Sequence, residues 1–158
     1  MRIPHQRRTT IRSLAAALIY WVLSLPQVSY AAPPDARITV IVLGDSITAG
    51  YGLDANDSYP ALLQQRFVSK GVRVVNAGLS GDTTAGGLRR IEWLLKGRCD
   101  VLVIALGAND GLRGVPVQET AENLRGIVQK TKQRFPSAKV LLAGMLVPPN
   151  MGPDYSER

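Results

Sequence analysis

The chain has 158 residues, a length that holds one ordinary domain. Its 46% hydrophobic and 20% charged content excludes wholesale disorder and permits a packed core. The net charge of +7 is no sign of nucleic acid: Arg2, Arg7, Arg8 and Arg12 all precede the first acidic residue, Asp35, and without them the charge falls to +3, with no basic stripe interleaved with aromatics.

The basic N-terminus is followed by an apolar run from Leu14 to Leu25, then Pro26 and the small-residue end Ser29-Tyr30-Ala31-Ala32. This is the three-part pattern of a secretory signal peptide over residues 1–31, with cleavage expected after Ala31. A membrane span needs roughly 20 apolar residues, so the run is short for an anchor, which is the alternative. The expected location is the periplasm, with no stable membrane span once the leader is removed. Residues 32–37, Ala32 to Arg37, read as a linker, and residues 38–158 as the folded domain. His5 is the single histidine and lies within the leader; Cys99 is the single cysteine, reads as a buried hydrophobe, and allows no internal disulfide.

Beyond the linker, strand-like runs alternate with helical patterns. Ile38 to Leu43 is β-branched and continuous, as in a strand buried on both faces. Tyr59 to Lys70 is predicted helical, with Asp57 or Ser58 as cap, Pro60 in the first turn and Leu62, Leu63 and Phe67 as its apolar face. Val72 to Ala77 is a second strand. Thr84 to Leu95 is a second helix with Leu88, Ile91, Leu94 and Leu95 on one side. Asp100 to Leu106 holds a third strand, and Val117 to Arg134 a third long helix with the stripe Ala121, Leu124, Ile127, Val128 and Thr131. Lys139 to Leu146 is a fourth strand. Strands separated by helices imply parallel pairing with right-handed crossovers. The expected class is α/β: a three-layer α/β/α sandwich on a parallel, flavodoxin-like sheet.

In such sheets ligands sit beyond the carboxyl ends of the strands. Three stretches leave those ends: Gly44-Asp45-Ser46, Ser80-Gly81-Asp82-Thr83 and Gly107-Ala108-Asn109-Asp110. Ser46 could be a nucleophile beside outward-pointing backbone N–H groups, a helix N-cap, or part of a phosphate-binding turn. Gly81 lacks a Cβ, so its N–H could approach a reacting carbonyl; the stretch also reads as a turn in which Asp82 or Thr83 caps the next helix. Asn109 offers a neutral amide donor suited to an oxyanion hole, in ordinary turn composition.

Together the three stretches resemble the first three sequence blocks of the SGNH, or GDSL, hydrolase superfamily, from about Ile38 to Tyr155. Gly107 to Gly114 and Ser80 to Thr83 look closest to its bacterial periplasmic thioesterase, arylesterase and lysophospholipase branch. The resemblance implies a serine ester hydrolase acting on small acyl esters or thioesters, with no cofactor and no metal. It makes Ser46 the nucleophile and gives an oxyanion hole from the N–H of Ser46, the N–H of Gly81 and the side chain of Asn109. Asp45 and Asp110 become loop-ordering neighbours, and Gly111-Leu112-Arg113-Gly114 opens a substrate-facing loop. The superfamily's last block, Asp-x-x-His, has no counterpart before Arg158, so no catalytic Asp or His is found in these residues. That departure implies a C-terminally truncated chain, without the last strand and helix, and nearly inactive. Lys130, Lys132 and Lys139 are expected to face away from the site, so none stands in as base. The competing expectation is a non-catalytic α/β module that binds an anion or a partner. The acyl-chain preference and the oligomeric state are not encoded in any motif.

Overall fold

The structure, a computed structural model, describes residues 37–145. The proposed leader, most of the linker and the segment from Leu146 onward lie outside the described residues. Four strands form one parallel sheet in the order β2-β1-β3-β4: β1 (Ile38–Gly44), β2 (Val72–Gly78), β3 (Val101–Ala105) and β4 (Lys139–Leu142). The central strand β1 pairs with β2 from Ile38 opposite Val72 to Gly44 opposite Gly78, and with β3 from Val40 opposite Val101 to Gly44 opposite Ala105. The helices are α1 (Ser46–Ala49), α2 (Tyr59–Phe67, continued by a 3-10 turn Val68–Lys70), α3 (Thr84–Leu94), α4 (Ala108–Leu112) and α5 (Val117–Arg134).

One face of the sheet is thickly covered. Ile41, Leu43, Ala77, Leu102, Ile104 and Leu106 pack there against Ile91 and Leu95, at the end of α3, and Ile127 of α5. The expected stripes on α3 and α5 are the ones that turn inward, and Cys99 is buried at the edge of this core. Gly87 lets the two helices meet the sheet closely: a Cβ there would lie 2.4 Å from Leu106 Cδ1 and 3.3 Å from Ile127 Cδ1. The other face carries α1 and α2, which completes the three-layer arrangement.

The expected apolar face of α2 is corrected. Leu62 and Leu63 are exposed, and Pro60 is the buried residue of that helix. The reason is polar. Gln64 points at the outer edge of β2, where its Oε1 accepts from Val74 N (2.6 Å) and its Nε2 donates to Val72 O (3.3 Å). The amide thus substitutes for a neighbouring strand on an otherwise open edge, and this rotation turns Leu62 and Leu63 outward. The fourth strand is shorter than its pattern suggested and ends at Leu142; Leu141 and Leu142 are both more than half exposed. Third-strand pairing starts at Val101, one residue after the expected start.

Asp100 binds the start of the sheet together. Its Oδ2 accepts from Thr39 N (2.7 Å) and from Arg98 Nε (2.7 Å), and its main chain links Thr39 O and Lys139 N. The Arg98 guanidinium and the Thr39 N–H favour the charged carboxylate and hold its pKa below the ordinary value. A lowered folded pKa stabilises the native state above the unfolded value of about 4, and that contribution is lost as pH falls through the folded value. Asp100→Asn is therefore expected to be less stable at neutral pH and to lose less of its remaining stability between about pH 5 and pH 3. Parallel urea titrations of both proteins across that range check this.

Candidate active site

The order β2-β1-β3 contains a switch. The chain leaves β1 toward β2 on one side of the sheet and later returns to the other through β3, and in such sheets the carboxyl end of the strand at this reversal, here β1, is where ligands bind. Ser46 stands there, directly after Gly44 and Asp45. Two glycines let the backbone turn so tightly. A Cβ on Gly44 would lie 1.9 Å from Thr48 Oγ1, and one on Gly78 would lie 2.1 Å from Ala49 N. Without side chains at these two strand ends, the single turn of α1 seats directly on them.

The open question about Ser46 has a clear local answer. Asp45, buried at 4% exposure, is the N-cap of α1, its Oδ1 accepting from Ile47 N at 3.0 Å. Ser46 is the first helical residue, half-buried, and its hydroxyl makes no hydrogen bond among the described residues. The hydroxyl is not consumed by capping. Thr48, two residues along, is fully buried and bonds Tyr59 Oη at 2.9 Å, which pins α1 to the start of α2.

The second stretch forms a turn closed by Asp82 N donating to Leu79 O at 3.0 Å. Gly81 occupies its third position with φ of 77°, a left-handed conformation that favours glycine. Of the two expected caps, Thr83 is the one that caps α3, accepting from Gly86 N at 3.2 Å. The Gly81 N–H has no hydrogen-bond partner among the described residues, while its carbonyl accepts from Arg113 Nη2 at 2.8 Å. Arg113 thus ties the third loop to the second.

The third stretch forms α4, opened by Gly107 at φ of 128°. Asn109 Nδ2 donates to Asp82 O at 2.9 Å and lies 3.5 Å from Asp45 Oδ2. Its amide therefore touches the residue after Gly81 and the residue before Ser46, so the three stretches meet at one point. Asp110 is buried at 1% exposure and is spent on structure: its Oδ2 accepts from Thr84 N (2.9 Å) and its Oδ1 from Thr84 Oγ1 (2.5 Å). Asn123 of α5 completes the set, donating to Thr84 Oγ1 at 3.2 Å. Thr84 and Asn123 carried no motif signal; each is recognisable only by what it touches.

Exposed apolar side chains surround this point in the sequence: Ile47 and Tyr51 after Ser46, Leu79 before Gly81, Leu112 after Asn109. A separate shallow depression, lined by Tyr59, Leu62, Leu63, Gln65 and Arg66, follows the outer side of α2 and includes none of the three loops. Cys99 is no rival nucleophile: burial, with Asp100 nearby, pushes its thiol up to about 11. No cluster of three or more His, Cys, Asp or Glu suited to a metal occurs among the described residues.

The sequence pattern of the GDSL-like Lipase/Acylhydrolase family matches residues 42–158. The chain belongs to this family. Its GDSL-like relatives include Esterase TesA of Pseudomonas aeruginosa, 49% identical over 125 residues, covering 77% of this chain and 61% of the relative. Thioesterase 1/protease 1/lysophospholipase L1 of Escherichia coli is 44% identical over 123 residues, covering 77% and 58%. Among solved structures, that of TesA superposes with a TM-score of 0.70 at 48% identity, over 75% of this chain and 67% of that one. AlinE4, an SGNH-hydrolase family esterase, gives 0.70 at 42%, over 76% and 65%. The chain thus spans about three fifths of the length of these two curated relatives. The GDSL-like fold, with its parallel α/β sheet, agrees with the expectation from the sequence.

Replacing Asp110 by Ala would leave Thr84 N and Oγ1 buried with lost partners, a cost of about 2–4 kcal/mol. Urea unfolding of Asp110→Ala against the parent protein measures it, with an unchanged m-value expected.

Proposed function

We propose that the chain is a serine ester hydrolase domain in which Ser46 is the nucleophile and the N–H of Ser46, the N–H of Gly81 and Nδ2 of Asn109 receive the oxyanion. The observation that carries this reading is the uncommitted Ser46 hydroxyl: Asp45 does the capping, and the serine is left free where three loops meet. Attack by Oγ on an acyl carbonyl forms the Oγ–C bond and breaks the C=O π bond, the hydroxyl proton passing to a base; negative charge moves onto the carbonyl oxygen until the C=O re-forms and the alcohol or thiol leaves with that proton. Donors fixed beforehand stabilise that charge without reorganising, which is the largest contribution to catalysis in sites of this type. Asn109 has two amide hydrogens. One is committed to Asp82 O, and the other has only the long approach to Asp45, so it is available to the substrate.

The substrate is an acyl ester or thioester. Exposed Ile47, Tyr51, Leu79 and Leu112 suit an apolar acyl chain. The esterase and thioesterase names of the relatives agree with this class. No cofactor, metal or nucleic acid is called for. No described helix is long and apolar enough to cross a membrane, and the proposed leader directs the domain to the periplasm. The rival anion-binding reading of the Ser46 turn is disfavoured by Asp45, whose carboxylate takes the Ile47 N–H and sets a negative charge at the start of the helix.

A serine hydroxyl is a weak nucleophile without an adjacent base. Residues 37–145 contain no histidine. Lys130 pairs with Glu92, and Lys132 donates to Ala138 O at 2.6 Å, so neither is at hand. A polypeptide of these 158 residues is therefore expected to hydrolyse a short p-nitrophenyl ester on the order of 10⁴-fold or more below a complete triad enzyme. Prolonged incubation with a fluorophosphonate should label it on Ser46, and Ser46→Ala should abolish labelling. Equal labelling of both proteins would overturn the assignment of the nucleophile. Fast turnover by the parent polypeptide would overturn the need for an outside base.

A further inference from the structure

We infer that Asp82 and Arg90 form a positioning pair that sets the distance between the nucleophile turn and the oxyanion donors, an inference that rests on the ester-hydrolase reading of Ser46. Neither residue belongs to the proposed reacting groups. Asp82 nonetheless bonds the third stretch directly, through Asn109, and the end of β1 through Arg90. Its main-chain carbonyl holds Asn109 Nδ2 at 2.9 Å. Its Oδ1 accepts from Thr83 N at 3.1 Å, and its Oδ2 accepts from Arg90 Nε at 2.8 Å. Arg90 then donates through Nη2 to Gly44 O at 3.2 Å. Gly44 is two residues before Ser46, and its carbonyl also accepts from Leu79 N at 3.0 Å, two residues before Gly81. The guanidinium therefore bridges the end of β1 and the Gly81 turn from a fixed post on α3.

Asp82 is buried and its partner Arg90 partly so. Asp82 is 8% exposed, and Gly86 one turn along α3 makes room for it: a Cβ on Gly86 would lie 1.8 Å from Asp82 Oδ1. Partly buried charges are poorly screened, and the planar guanidinium fixes two directions at once. A lysine offers one nitrogen and cannot hold both Asp82 and Gly44 in that geometry. Catalytic geometry is sensitive here, since about 1 Å of misplacement costs on the order of a hundredfold in rate.

The test uses the 158-residue chain with Arg90→Lys and, independently, Gly86→Ala, which evicts the Asp82 carboxylate without changing any charge. Two readouts are taken: fluorophosphonate labelling of Ser46, resolved into its saturating rate and its half-saturating probe concentration, and deuterium uptake by segment. Arg90→Lys and Gly86→Ala are each expected to lower the saturating rate about tenfold or more while the half-saturating concentration holds. Uptake should rise in residues 44–50 and 79–84 and stay at the parent level in 101–105. An unchanged saturating rate in both variants overturns the inference, as does uptake rising equally in 101–105, which signals general loosening. If the parent chain takes no label, the ester-hydrolase reading fails. The pair is then judged on uptake alone, standing if only the two loop segments loosen and falling otherwise. If Arg90→Lys does not fold, Gly86→Ala decides by the same readouts.

Discussion

Everything at the candidate site depends on β1 pairing in parallel with a neighbour on each side. All strands then run the same way, and every strand-to-helix loop emerges on one rim. Parallel strands cannot be joined by tight hairpins, so a helix must lie between each pair. That requirement delivers α1, α3 and α4 to the same edge of the sheet. Gly44 and Gly78 end adjacent strands in register and leave the space that α1 fills. The position of Ser46 follows from strand pairing well before any side chain of the site is considered.

Polar contacts refine what the sheet makes approximate. The rim is held by carboxylates that are almost entirely buried, each with its oxygens assigned. Asp45 caps α1, Asp82 takes Thr83 and Arg90, and Asp110 takes Thr84 twice. Buried carboxylates of this kind are costly unless paired, and an incomplete set would be worse than an apolar filling. The hydroxyl of Ser46 and the N–H of Gly81 have no hydrogen-bond partner among the described residues, and Asn109 keeps one amide hydrogen beyond its bond to Asp82 O. A rigid frame with a few free donors is the arrangement that stabilises developing charge at no reorganisation cost. By contrast, the Glu92–Lys130 pair lies on the surface, where solvent screening leaves such contacts little effect on stability.

The two sides of the sheet are unequal. The face under α3 and α5 holds a continuous core, although Leu142 of β4, beside Ile104 on that face, stands exposed; on the other side Leu62 and Leu63 of α2 and Leu141 of β4 are exposed. Gln64 closes the open edge of β2 with its amide. Nothing among the described residues does the same for β4.

Much of this was legible in the chain itself. Strand and helix periods are local properties, so Ile38 to Leu43, Val72 to Ala77 and the long helix Val117–Arg134 could be read from spacing alone. The three loop stretches were legible because glycine, acid and hydroxyl clusters at strand ends have few uses, and the family resemblance chose among them. Tertiary structure decided what local spacing cannot. Whether Asp45 or Ser46 capped α1 was a question of a residue or two, settled by how the turn seats on Gly44 and Gly78. The outward rotation of α2 was settled by the edge of β2 reaching for Gln64. The links from Arg90 to Gly44 and from Asn123 to Thr84 join residues 46 and 39 positions apart. A period of two or 3.6 carries no information at that range; only the closed sheet brings such groups within hydrogen-bond distance.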